Sequence, residues 1–182
     1  MKLRIHRTVA AALVLLLIET AVLPWLVPAA WSDRILPHFP FLVTLFVALT
    51  AGRHIAFFFG LGFGLLQDVL FYGHLIGAYA FGMALTGYLA GLAAYRLRPV
   101  PGLYVSMTAL GGFVLDMIVY AIYRLFQVTT VSPFFAIEWQ VLPTTVVQAA
   151  LAAMLYFPFR RLLIRTVPAS ASQGSDERSA SG

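Results

Sequence analysis

The chain has 182 residues, of which 61% are apolar and 10% charged, against roughly 45–50% and about 25% in soluble domains. Seven acids and one lysine cannot cover a 20 kDa globule, so an ordinary soluble fold is excluded and lipid is the expected solvent for most of the chain. The net charge of +5 comes from basic residues that flank apolar segments, which favours a membrane over nucleic acid. With no cysteine, disulfides, zinc–thiolate sites and thiol nucleophiles are excluded. With Lys2 as the only lysine, so are a lysine-bearing phosphate loop and an internal Schiff base.

A helix crossing about 30 Å of hydrocarbon needs roughly 20 apolar residues. Six segments meet or approach that length in chain order: Thr8–Val27, Phe39–Ala51, His54–Tyr72, Leu75–Tyr95, Leu103–Tyr123 and Val141–Leu163. The second is short, opened by Pro40 in its first turn and extended by Ile35–His38 at the interface. Gly52 and Gly73 are expected C-caps, Arg98–Gly102 is a break, and Pro143 and Pro158 predict kinks in the sixth helix. The expected fold is all-α: a single six-helix transmembrane domain over residues 1–167, followed by a Ser/Ala/Gly-rich tail at 168–182 expected to be disordered.

Lys and Arg set the orientation. Lys2, Arg4, Arg7, Arg53, Arg96, Arg98, Arg160, Arg161, Arg165 and Arg178 fall on one side, Arg34 and Arg124 on the other. That bias places both termini in the cytoplasm, and Trp25, Trp31 and Trp139 then fall at the outer interface. Residues 1–29 also have the outline of a cleavable signal peptide, but Glu19 and the long apolar stretch argue for a retained helix.

Small residues mark contact faces between helices in lipid, because apolar side chains gain nothing from meeting there. Gly77, Ala80, Ala84, Gly87, Gly91 and Ala94 recur every three or four residues, forming one stripe for packing inside the protein or for a partner helix. Gly60 and Gly64 lead to Asp68 in the same way, and the frame Gly64-x-x-x-Asp68-x-x-x-Tyr72 is matched by Gly112-x-x-x-Asp116-x-x-x-Tyr120.

An acid at helix centre costs about 2.5–3.5 kcal/mol on insertion, so Glu19, Asp68 and Asp116 should face protein or water. Three readings stand for the two aspartates: structural hydrogen bonding or pairing with Arg34 or Arg124, a polar cavity open to the outer face, or a catalytic carboxylate pair. Glu19 is expected in an interhelical hydrogen bond. His6, His38, His54 and His74 have no metal-ligand spacing and are expected at solvated interfaces. The segment Gln127–Trp139 is apolar enough for the headgroup layer or for a partner.

The run Gly60-Leu-Gly-Phe-Gly64-Leu-Leu-Gln-Asp68, with Gly73, Gly77-Ala78-Tyr79 and Gly87-Tyr88-Leu89-Ala90-Gly91, resembles the bacterial rod shape-determining MreD family. The Pro40-led second helix, Leu115–Tyr120 and the basic finish Arg160-Arg161 extend the resemblance over about residues 20–165. Glu19 stands where that family leads one to expect an uncharged polar residue. The resemblance implies a non-enzymatic scaffold of the bacterial inner membrane. Implied partners are MreC and, through it, MreB filaments, RodA and a penicillin-binding transpeptidase, with no cofactor and no nucleic acid. The family is also similar to the six-helix substrate-binding subunits of energy-coupling-factor vitamin transporters, which supplies the alternative function.

Overall fold

The computed structural model describes residues 2–3, 5–21, 38–71, 75–95 and 100–165. Within them the chain is helical: α1 (Ile5–Ala21), α2 (Phe39–Ala51), α3 (Arg53–Phe71), α4 (Ala78–Ala93), α5 (Pro101–Leu125), α6 (Pro133–Ala136) and α7 (Leu142–Leu163). A π-turn over Ile137–Val141 joins α6 to α7. The antiparallel pair β1 (Lys2–Leu3) and β2 (Ile164–Arg165) joins the start of α1 to the end of α7. Expectations that rest on Trp25, Trp31, Arg34, Tyr72, Gly73, His74 and the tail from 168 lie outside the described residues.

α2 is the axle. It is apolar on every face, as a fully enclosed helix must be, and Phe39–Ala48 are all buried. It packs against α1, α3, α4, α5 and α7. Pro40 occupies the first turn, where no N–H is needed. Gly52, at φ +93°, ends it in a backbone that side chains rarely adopt and at once opens α3 through Ala56 N–H to Gly52 O at 3.1 Å.

α3 and α4 form the tightest pair, antiparallel and in strict register. A Cβ added at Gly60 would meet Met83 O at 2.7 Å, one at Gly64 would meet Ala80 Cα at 2.6 Å, and one at Gly91 would meet Arg53 Cα at 2.6 Å. Gly87 faces Ala56 and Thr44 of α2. The small stripe of α4 is therefore filled by its own neighbours. Gly77 leaves that stripe: it sits before α4 at φ +108° with open space around its Cα, so it is a turn residue and α4 begins at Ala78.

Near the start of α5, Tyr104 is enclosed and donates its hydroxyl to Leu42 O at 2.8 Å. Phe46 meets it edge-on, and Tyr156 and Phe159 pack edge-on against Phe46. Thr44 and Thr108 return their hydroxyls to the carbonyls of Pro40 and Tyr104, which satisfies a polar group without leaving the helix. Pro158 lies inside α7, where its ring removes one helical donor. The outer faces are apolar: Phe58, Val69, Leu110, Val146 and Met154 all stand exposed. Two stretches, Pro101–Leu125 and Pro133–Leu162, are long and apolar enough to cross a membrane. The end of the bundle holding His38, Phe71 and Leu125 is called distal below.

Candidate functional site: a buried polar cluster beneath a distal cavity

Helix geometry brings three distant residues to one level. Glu19 is fourteen residues into α1, Gln67 fourteen into α3 and Asp116 fifteen into α5, which at 1.5 Å per residue is about 21–22 Å from each helix start. The short α2 supplies the fourth member, because its N-cap His38 begins at this depth. Glu19 accepts from Gln67 Nε2 through Oε1 at 2.6 Å and from the Phe39 backbone N–H through Oε2 at 3.0 Å. Gln67 Nε2 also lies 3.1 Å from His38 Nδ1. With the carboxamide donating both protons, this geometry makes Nδ1 the acceptor and leaves Nε2 on the far side of the ring. That nitrogen faces Asp116 Oδ1 at 3.9 Å. The Tyr79 ring closes the group, its centroid 5.0 Å from that of His38.

Glu19 makes the interhelical bonds its position calls for, tying α1 to α2 and α3. His38, read from sequence as a solvated interface residue, is 1% exposed. The reason is that α2 is too short to bring its N-terminus to the surface. Gln67 is fully buried and carried no weight in the sequence reading. An amide beside an acid in an apolar helix was the available signal.

Asp68 is next to this cluster but outside it. Oδ2 accepts from Gly77 N–H and Ala80 N–H at 2.9 Å each, and Oδ1 from Tyr79 N–H at 3.1 Å. It is a cap supplied from a neighbouring helix, satisfying the free donors and positive dipole end of α4. Asp116 has no such partners. Its side chain is 12% exposed, His38 is its nearest cation-capable neighbour, and Oδ2 is buried with no hydrogen-bond partner among the described residues. Arg124 does not reach it: Arg124 Nη1 donates to Val131 O at 3.0 Å and Tyr120 OH at 3.3 Å. Tyr120 in turn donates to Val131 O at 2.7 Å and so secures the loop beyond α5. Behind Asp116, a Cβ at Gly112 would collide with the carboxamide of Gln148 on α7.

A cavity of about 220 Å³ opens over Asp116, walled by Tyr79, Tyr120, Tyr123, Phe135 and Trp139. Its roof is the α6–π-turn segment, where Phe135 and Trp139 stack at 5.5 Å. Sequence reasoning anticipated an apolar segment here, but not the π-turn that aims its aromatic rings. The two aspartates do not hydrogen-bond to each other. Asp68 has its oxygens committed to backbone amides, and Asp116 faces a histidine and a cavity. No group of three or more metal-ligating side chains lies together among the described residues.

Apolar outer faces, glycine-mediated helix pairs and a buried polar cluster together define a helical membrane protein. The family model of rod shape-determining protein MreD matches residues 2–166. A relative in Bacillus subtilis (strain 168), rod shape-determining protein MreD, is 30% identical over 136 residues, covering 73% of this chain and 77% of its own. The chain belongs to the MreD family of rod shape-determining proteins. No solved structure matches it.

Proposed function

We propose that this chain is a multi-pass scaffold of the bacterial cytoplasmic membrane, with six spans and both termini inside. It binds an MreC-like bitopic protein and helps couple MreB filaments to peptidoglycan synthesis by RodA and a penicillin-binding transpeptidase. The observation that carries this reading is the family match across residues 2–166. The basic bias toward one side supports the orientation. The faces at Gly60, Gly64, Ala84, Gly87 and Gly91 are occupied by neighbouring helices of the chain, so a partner helix must use another surface. The exposed distal aromatics Phe126, Phe134 and Phe135 are the best candidates.

Affinity purification in mild detergent from a rod-shaped host tests this. An MreC-like protein should be retained, and deletion of the gene should round the cells. Normal shape on deletion together with undiminished MreC recovery would remove the scaffold reading.

A second reading has one observation in its favour: the distal cavity over Asp116 has the polar floor and aromatic walls of a small-molecule site. In that reading the chain binds a vitamin-like ligand, as the energy-coupling-factor subunits do. A small molecule that survives purification, and is lost in Asp116→Asn, would favour it over the scaffold.

A further inference from the structure

At the end opposite the polar cluster, a groove of about 710 Å³ lies between α1 and α7. Ala11, Val14 and Leu15 line one wall, and Pro158, Phe159 and Leu162 the other. These walls are apolar and open to the side of the bundle. The small Ala10 and Ala11 and the prolyl ring leave space that longer side chains would close. Two arginines, Arg7 and Arg161, border the groove and both stand exposed. Arg160 is adjacent in sequence.

Among the described residues the charge around the groove is unbalanced. Neither residues 1–18 nor residues 139–165 contain an acid. An apolar trough beneath a cationic rim matches an amphiphile with its anionic head at the rim and its chains along the trough.

We propose that the α1–α7 groove is a binding site for an anionic diacyl phospholipid. Arg7 and Arg161 hold the phosphate, and the acyl chains lie against Ala11, Val14 and Phe159. The proposal is independent of which partner the chain scaffolds. In the orientation given above, the groove opens into the cytoplasmic leaflet, where anionic lipids attract juxtamembrane basic residues.

The full-length protein in neutral detergent is titrated with dioleoylphosphatidylglycerol and, separately, with dioleoylphosphatidylcholine, and retained lipid is read by native mass spectrometry. Phosphatidylglycerol should be retained in preference. Arg7→Gln with Arg161→Gln should weaken it roughly thirtyfold, as expected for two juxtamembrane cations. Arg53→Gln, which removes a charge away from the groove, should change retention less than about threefold. Ala11→Phe, which fills the trough and leaves the charge, should also lose the lipid. Water-soluble glycerophosphoglycerol should not compete.

A photoreactive residue at Val14 should crosslink to phospholipid in membranes. Equal retention of both lipids, an unchanged affinity in the double arginine variant, or competition by the headgroup alone would overturn the site. So would a Val14 crosslink to a second copy or another protein in place of lipid. Arg7 and Arg161 are exposed, so the double variant keeps the fold and decides the matter even where Ala11→Phe does not fold.

Discussion

The frames Gly64-x-x-x-Asp68 and Gly112-x-x-x-Asp116 carry the same residues at the same spacing, each on a helix that ends at the distal side. Their surroundings differ. Gly64 lies against the backbone of Tyr79 and Ala80, and that close approach brings the first turn of α4 down onto Asp68, whose oxygens take three amide protons. Gly112 lies against the flexible end of Gln148, and the helix start nearest Asp116 presents the side chain of His38 and not its backbone amides, so Asp116 is left with His38 and a cavity. Matching frames set how near a neighbour comes. What the neighbour presents there, a helix N-terminus or a side chain, decides whether the acid is bound up in the fold or left available.

The largest effect that separates the two frames should come from Asp68→Ala. It strands three backbone donors at the start of α4 in apolar surroundings and should cost about 3 kcal/mol. The midpoint of thermal or denaturant unfolding in detergent measures it. A loss no greater than that of Asp116→Ala would mean that the amide contacts at Asp68 add nothing. Gly64→Ala follows, at about 2 kcal/mol, because the obstructing atoms are backbone and α3 and α4 must separate. Gly62→Ala, two residues away with open space around it, is the internal control. It should be neutral or stabilising by up to about 1 kcal/mol through helix propensity.

These differences also mark what could be read from the sequence. Apolar run lengths and punctuation at Pro40, Gly52 and Pro101 located the described helices after the first to within a few residues, since each signal acts on its own segment. Glu19, Asp68 and Asp116 stood out because charge in an apolar helix must find a partner. Their partners did not stand out. Asp68 binds an adjacent helix's backbone, and no residue type advertises a free N–H. His38 resembled any interface histidine, because its burial depends on how deep α2 starts. Gln67 was masked by the acid next to it. Counting residues from each helix start, which puts Glu19, Gln67 and Asp116 at one level, would have suggested the cluster. The π-turn at Ile137–Val141 has no local mark in the sequence.

A smaller loss is expected for Gly112→Ala. Gln148 can swing away, and its two polar atoms have no hydrogen-bond partner to give up among the described residues, so the cost should be about 1 kcal/mol. Combining it with Gln148→Ala should recover most of that cost, a coupling that a double-mutant cycle reads directly. Full additivity would show that the two positions do not meet.

The smallest effect on stability should be that of Asp116→Asn. The change is isosteric, the carboxylate it replaces holds no short hydrogen bond, and the amide oxygen can still face His38 Nε2. Interhelical side-chain hydrogen bonds in membrane proteins average only about 0.6 kcal/mol even when well formed, so the unfolding midpoint should move by less than about 1 kcal/mol. The consequence belongs to the cavity. Removing the charge while keeping the shape changes what the floor can attract, so a functional defect with unchanged stability would assign Asp116 to recognition. A destabilisation equal to that of Asp68→Ala would instead make the two acids equivalent. The cavity would then lose its one charged floor group as evidence of purpose, because an acid needed for folding requires no ligand to account for it.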